Sequence, residues 1–258
     1  MFNPKNFTTP KAKPLPVILL IDMSDSMNIV VDPENVIRTG KTAFVDGQHV
    51  EFVEGGTTKM QILNEAVKKM IDAFAEEEKM ETEILVSIIT FGDTAELHLP
   101  LTNASGIEWQ DVSAFGETAL GAALKLAKEQ VENKEIIPSR AYRPTIILVS
   151  DGAPTDDWKV AMESFVHEGR SSKCFCLAMG IGDDADKNVL NMFIENTPCL
   201  AQSGETEVPN KIFCANDAES IHKFFEKVTM SVTIRSKSSN PNQPPSVSND
   251  NDDDDGYW

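Results

Sequence analysis

Three stretches of the chain are apolar without alternation: Val17 to Ile21, the run EILVSIITF at 83–91, and TIILVS at 145–150. Short unbroken runs of this kind read as strands buried on both faces, as in a parallel sheet. Between them the period changes. From about 58 to 78, Met60, Leu63, Val67, Met70, Ile71 and Phe74 recur at three- and four-residue spacing, which predicts an amphipathic helix. Thr58 and Gln61 form its capping box. Further helices are predicted at about 118–132, 158–168, 185–195 and 217–230, with strands at about 16–22, 144–150, 173–179 and 211–214. AELHLPLT at 95–102 follows the turn Gly92-Asp93, too short for anything but an antiparallel neighbour. The predicted fold is α/β: a doubly wound, mainly parallel sheet with one antiparallel edge strand and helices on both faces.

Local signals fill in the connections. Crossover connections are short, yet Asn28 to Gly56 separates the first strand from its helix. Within this insert, two β-rich runs flank Asp46-Gly47, a dipeptide suited to a tight hairpin turn, so a β-hairpin (29–56) is expected beside the end of strand one. Gly121, Ala122 and Ala123 are small enough for close approach to the sheet, and 132–143 reads as a surface link. Asp156 or Asp157 reads as the cap of the 158–168 helix. Gly180-Ile181-Gly182 reads as a turn, since the full dinucleotide fingerprint is missing. Residues 1–14 are expected to form a flexible leader, 15–235 one domain, and 236–258, almost free of aliphatic residues, a disordered acidic tail.

Candidate chemistry collects where the strands end. Asp22 closes the first apolar run, with Ser24 and Ser26 at alternate positions after it. Thr118 stands at the loop-to-helix junction after Phe115-Gly116-Glu117, and Asp151-Gly152 closes the run at 145–150. Open α/β sheets place ligands at strand carboxyl ends. No His or Lys neighbours these side chains in sequence, so general base work is not indicated, whereas short oxygen donors suit a hard cation.

In this order, Asp22-x-Ser24-x-Ser26, Thr118 and Asp151-Gly152 resemble the metal-ion-dependent adhesion site of von Willebrand factor type A domains. The segments VILLIDMSDSM, SIITFGDTAELHLPLT, GETALGAAL and ILVSDGAPTDDW further resemble bacterial type A proteins of tellurium resistance and stress response. The resemblance covers most of residues 15–230. It implies a Rossmann-like sheet and a divalent cation, Mg2+ or alternatively Mn2+ or Ca2+, held by Asp22, Ser24, Ser26, Thr118 and Asp151. It also implies protein partners that offer an Asp or Glu to the metal, with a protein kinase or phosphatase as candidate company. One position departs from the family pattern: Asp25 stands where Gly is frequent.

Composition narrows the partners. The net charge of −18, from 41 acidic and 23 basic residues, disfavours free nucleic acid and anionic membranes. No apolar leader or membrane-length run is present, so a cytoplasmic location is expected. Cys174, Cys176, Cys199 and Cys214 have no zinc spacing and read as reduced thiols, and His49, His98, His167 and His222 form no catalytic pattern. The enzymatic alternative is a haloacid-dehalogenase-like phosphatase, but Ser24 stands where that chemistry needs a second acid. A third reading is a type A subunit of a chelatase-like ATPase, without a nucleotide loop of its own.

Overall fold

The computed structural model describes residues 13–31, 36–45, 48–78, 83–197, 212–238 and 240–242. Most of the leader, Asp46-Gly47, Cys199 and the acidic tail beyond 242 lie outside the described residues. The main sheet has six strands in the order β5-β4-β1-β6-β7-β8. They are β1 (Leu15–Asp22), β4 (Ile84–Phe91), β5 (Ala95–Asn103), β6 (Thr145–Ser150), β7 (Phe175–Ile181) and β8 (Phe213–Ala215). All pairings are parallel except β4 with β5, which leaves one antiparallel strand at the edge, as expected.

Alternate residues of β1 feed two separate cores, because successive side chains on a strand point to opposite faces. Leu15, Val17, Leu19 and Ile21 pack with helices α1 (Lys59–Glu78) and α5 (Ala218–Lys237). Ile18 and Leu20 pack with α2 (Leu120–Glu132), α3 (Trp158–His167) and α4 (Lys187–Ile194). On α1 the predicted stripe Met60, Leu63, Val67, Met70 and Phe74 is at most 3% exposed. Burial of each such side chain contributes roughly 1.5–3 kcal/mol. The capping box is present in both directions: Thr58 N–H donates to Gln61 Oε1 (2.9 Å) and Gln61 N–H to Thr58 Oγ1 (3.2 Å).

The insert contains β2 (Val36–Val45) and β3 (Gln48–Gly55), antiparallel and forming a sheet of their own. Its neck is closed by the Val30–Thr58 bridge and by Val31 N–H donating to the Thr57 carbonyl (2.9 Å). The hairpin therefore leaves and re-enters the fold at one point.

Several local readings need correction. The strand expected at 173–179 is displaced to Phe175–Ile181, so Gly180 lies within it rather than in a turn. A Cβ on Gly180 would come within 2.8 Å of Ala185 Cβ and 3.0 Å of Leu190 Cδ1, so the glycine serves close helix-to-strand packing. Helix α5 continues to Lys237, beyond the expected 230, since Val228, Val232 and Arg235 are buried against the sheet layer. The 132–143 link is not wholly superficial: Ile137 is buried and its carbonyl accepts from Arg170 Nη2 at 2.9 Å. Asp157 holds the N-cap position of α3 without a side-chain cap bond, whereas Asp156 caps α2, with its two oxygens accepting from Gly121 N–H and Ala122 N–H, each at 2.9 Å. Gly121 in turn admits the start of α3, because a Cβ there would lie 2.7 Å from Trp158 Cα.

Candidate metal centre

The parallel register brings the strand ends level. Asp22 pairs with Phe91 on β4, and Ile21 with Val149 on β6, so Asp22, Ser150 and Asp151 emerge side by side. Beyond Asp22 the chain turns at once: Ser24 N–H donates to Asp22 Oδ1 (2.9 Å), and a 3-10 turn follows at Asp25–Asn28. Met27 is fully buried beneath that turn. With the loop so held, the Ser24 and Ser26 hydroxyl oxygens lie 3.0 Å apart. Asp151 Oδ1 accepts from Ser26 Oγ at 2.8 Å and from Ser24 Oγ at 3.5 Å. Ser150 Oγ donates to the far oxygen of Asp22 (2.6 Å). Asp22, Ser24, Ser26, Thr118 and Asp151 are all buried.

Thr118 lies on the loop just before α2. Its N–H donates to Thr155 Oγ1 (3.2 Å), and its carbonyl accepts from Thr155 N–H (3.0 Å). A Cβ built on Gly152 would stand 4.0 Å from Thr118 Oγ1, which places that hydroxyl beside the end of β6. Asp25, the departure from the family pattern, is exposed and ties the two loops together. Its N–H donates to the Gly116 carbonyl (2.9 Å) and its Oδ1 accepts from Gly116 N–H (3.2 Å). Gly116 has φ +87°, and a Cβ there would meet Asp93 Oδ1 at 2.6 Å, so the loop needs glycine at this position.

Two buried carboxylates facing one cluster set the electrostatics. Burial, then the charge of Asp151, push the Asp22 carboxyl up to about 7 despite its hydrogen bonds from Ser150 and Ser24. Lys59 Nζ donates to Asp151 Oδ2 at 2.7 Å, with both side chains buried. Lys59 is the functional neighbour that sequence reading missed. Its one signal was a lysine at the first position of a helix, where the macrodipole disfavours a cation. Ser150 was missed as well, because it looked like the last residue of an apolar run.

The donor set fits a hard divalent cation. Every donor is oxygen, two are carboxylates, and their mutual proximity is relieved by positive charge. Among the described residues no group of three or more His, Cys, Asp or Glu side chains could hold a metal ion, so such a centre relies on the hydroxyls.

The family model for the von Willebrand factor type A domain matches residues 17–153. The chain belongs to that family. Type A domains commonly mediate metal-dependent protein interactions, and some members are parts of enzyme complexes. Three solved structures are similar in fold. A von Willebrand factor type A protein from Catenulispora acidiphila is 18% identical, with a TM-score of 0.56 over 86% of this chain and 43% of that one. Proximal thread matrix protein 1 of the mussel byssus, solved with a zinc-occupied adhesion motif, is 16% identical, with a TM-score of 0.55 over 86% of this chain and 46% of that one. The PilB minor pilin of Streptococcus sanguinis is 16% identical, with a TM-score of 0.54 over 88% of this chain and 63% of that one. The present chain thus spans less than half the length of the first two. No curated protein matches it. Among the described residues no helix is long and apolar enough to cross a membrane.

Proposed function

We propose that this type A domain is a non-catalytic recognition module whose centre accepts an Asp or Glu side chain from a protein partner. Asp22, Ser24, Ser26, Thr118 and Asp151 would hold the divalent cation, Mg2+ in the first place and Mn2+ or Ca2+ as alternatives. Once held there, such a cation supplies a Lewis-acidic position for one further anionic oxygen. The observation that carries this reading is the buried cluster in which Asp151 accepts from the Ser24 and Ser26 hydroxyls beside Asp22, itself bonded to Ser24 N–H and Ser150 Oγ. The chain's own part is to orient these oxygens, to exclude water and to keep few carboxylates in direct reach. The histidines resolved at hydrogen-bonding distance serve elsewhere: His98 meets the Gln110 carbonyl and His167 meets Asn196. The sequence resemblance to stress-associated bacterial members supports extending the proposal to a kinase or phosphatase nearby in a cytoplasmic setting; service as a type A subunit of a chelatase-like ATPase is the separate alternative.

Lys59 gives the phosphatase alternative one point in its favour, because it brings a cation to the site. That cation is committed to Asp151, however, and Ser24 still occupies the position of the required acid. Calorimetry on the purified chain is expected to show one Mg2+ or Mn2+ site, abolished in Asp22→Ala and weakened about tenfold or more in Thr118→Ala. Protein capture should then require the cation and disappear in EDTA. Turnover of p-nitrophenyl phosphate that survives purification and vanishes in Asp22→Asn would replace recognition with catalysis.

The hairpin is the proposed specificity element. Its neck adjoins Lys59, and Ile37, Phe44 and Phe52 are 68%, 65% and 56% exposed on it. Replacing residues 32–54 by a short Gly/Ser link across the neck should leave folding and metal affinity within about twofold of the parent. The set of captured proteins should change. An unaltered set would reduce the hairpin to decoration.

A further inference from the structure

Local helix energetics do not explain Lys59. A cation at the first position of a helix opposes the macrodipole, and burying it costs desolvation energy that an ion pair does not reliably return. The fold nevertheless makes room for it. Lys59 N–H donates to the Ile29 carbonyl (3.0 Å), which fixes the start of α1. Gly182, whose φ of +85° suits glycine, lines the ammonium: a Cβ there would stand in van der Waals contact with Nζ at 3.4 Å. The ammonium engages one oxygen of Asp151 and leaves the other to the serine hydroxyls.

Asp22, Asp151 and Lys59 together carry one net negative charge when both carboxylates are ionised. A divalent cation converts this to one net positive charge, so a single carboxylate is the ligand that neutralises the centre. Without Lys59 the loaded centre would already be neutral, and its pull on an anion would rest on the cation's open position alone, without a net positive charge to add to it. The protein as a whole, at −18, repels acidic ligands, so a local excess of positive charge matters for capturing one.

We infer that Lys59 determines the ligand preference of the centre, with its ammonium weakening the grip on the divalent cation while strengthening the grip on one carboxylate. This rests on the recognition role proposed above. The two effects have opposite signs, which a purely structural lysine would not produce. In the buried site a charge acts at a low effective dielectric, so each effect is expected to reach about tenfold or more.

The test uses the full chain at pH 8 with Mn2+ alone, followed by acetate titrated into the Mn2+-saturated protein. Calorimetry reads the first step and water-proton relaxation the second. Lys59→Met is expected to bind Mn2+ about tenfold tighter and acetate about tenfold more weakly, whereas Lys59→Arg keeps both near the parent values. Lys59→Gln, which can still donate to Asp151, provides a second neutral variant should the methionine form fail to fold. If both affinities fall together, or neither moves, in a folded neutral variant, the inference about Lys59 is overturned while the metal site stands. If the parent chain itself binds no Mn2+, the recognition role fails first.

Discussion

An Asp22→Asn variant is expected to be more stable than the parent at pH 8 in EDTA, by roughly 4 kcal/mol at most, and to lose its response to Mg2+. The carboxyl titrates near 3.8 when exposed and near 7 in the fold, because burial and Asp151 penalise its charge. Between those values the unfolded chain has already released the proton that the folded chain retains. Stability of the metal-free protein therefore falls as pH rises through this window and stays low above it. At pH 5, between those two values, only part of the penalty has developed, so the advantage of the Asn variant should shrink. Saturating Mg2+ should restore the parent by mass action, about 2.7 kcal/mol at a hundredfold excess over Kd, and should leave the variant unmoved. Urea unfolding at pH 5 and 8, each with EDTA or Mg2+, measures all these differences. A variant destabilised equally at both pH values would show that Asp22 matters as a hydrogen-bond acceptor for Ser24 and Ser150 and not as a confined charge.

The second large effect is expected at the opposite pole. Arg235 is 2% exposed near the end of α5, with its guanidinium 4.0 Å from the centre of the Phe175 ring. It donates to the Pro241 carbonyl (3.0 Å), the Arg143 carbonyl (2.8 Å) and Thr145 Oγ1. One side chain thus fastens the last helix, the segment after it and the start of β6. Burial depresses its pKa to about 10, which still leaves the guanidinium charged near neutral pH. Arg235→Met keeps much of the apolar contact with Phe175 but strands the buried Pro241 carbonyl and removes the donor to Thr145 Oγ1 and to the Arg143 carbonyl. Each unsatisfied acceptor costs about 1–3 kcal/mol, so a loss of roughly 3 kcal/mol is expected in urea unfolding. Mn2+ affinity should stay within about twofold, since Thr145 and Asp151 lie at opposite ends of β6. A marked loss of metal affinity without a loss of stability would contradict this division between the poles.

Two thiols illustrate how tertiary burial settles reactivity. Cys174 and Cys176 are both free and buried, and burial pushes Cys176 up to about 12 and Cys174 well above its ordinary value. The expectation of reduced thiols agrees with this for the two. Thiolate formation is suppressed by the surrounding core.

What the sequence alone determined was everything carried by short-range period and by strand termini. The unbroken runs of β1, β4 and β6 specified a parallel sheet because a strand covered on both faces has no polar side to show. The three- and four-residue spacing of α1, with the Thr58–Gln61 box, specified that helix nearly to its ends. Asp22, Ser24, Ser26, Thr118 and Asp151 were legible as candidates, because Asp22 and Asp151 close apolar strands and the three hydroxyls stand on a strand-end loop and at a loop-to-helix junction. The tertiary structure decided what depends on partners distant in sequence. Thr229 to Ser236, rich in β-branched and polar residues, lacks a clear helical signal by itself, yet burial of Val228, Val232 and Arg235 keeps it helical. Asp156 could cap either neighbouring helix, and only the close approach of α2 and α3 chose α2. Lys59 and Asp151 are 92 positions apart, and their contact exists only because β6 pairs with β1 and α1 begins above that seam. A hydrophobic period says which face of an element is buried. Which charged groups meet at its ends is set by the order in which the strands assemble.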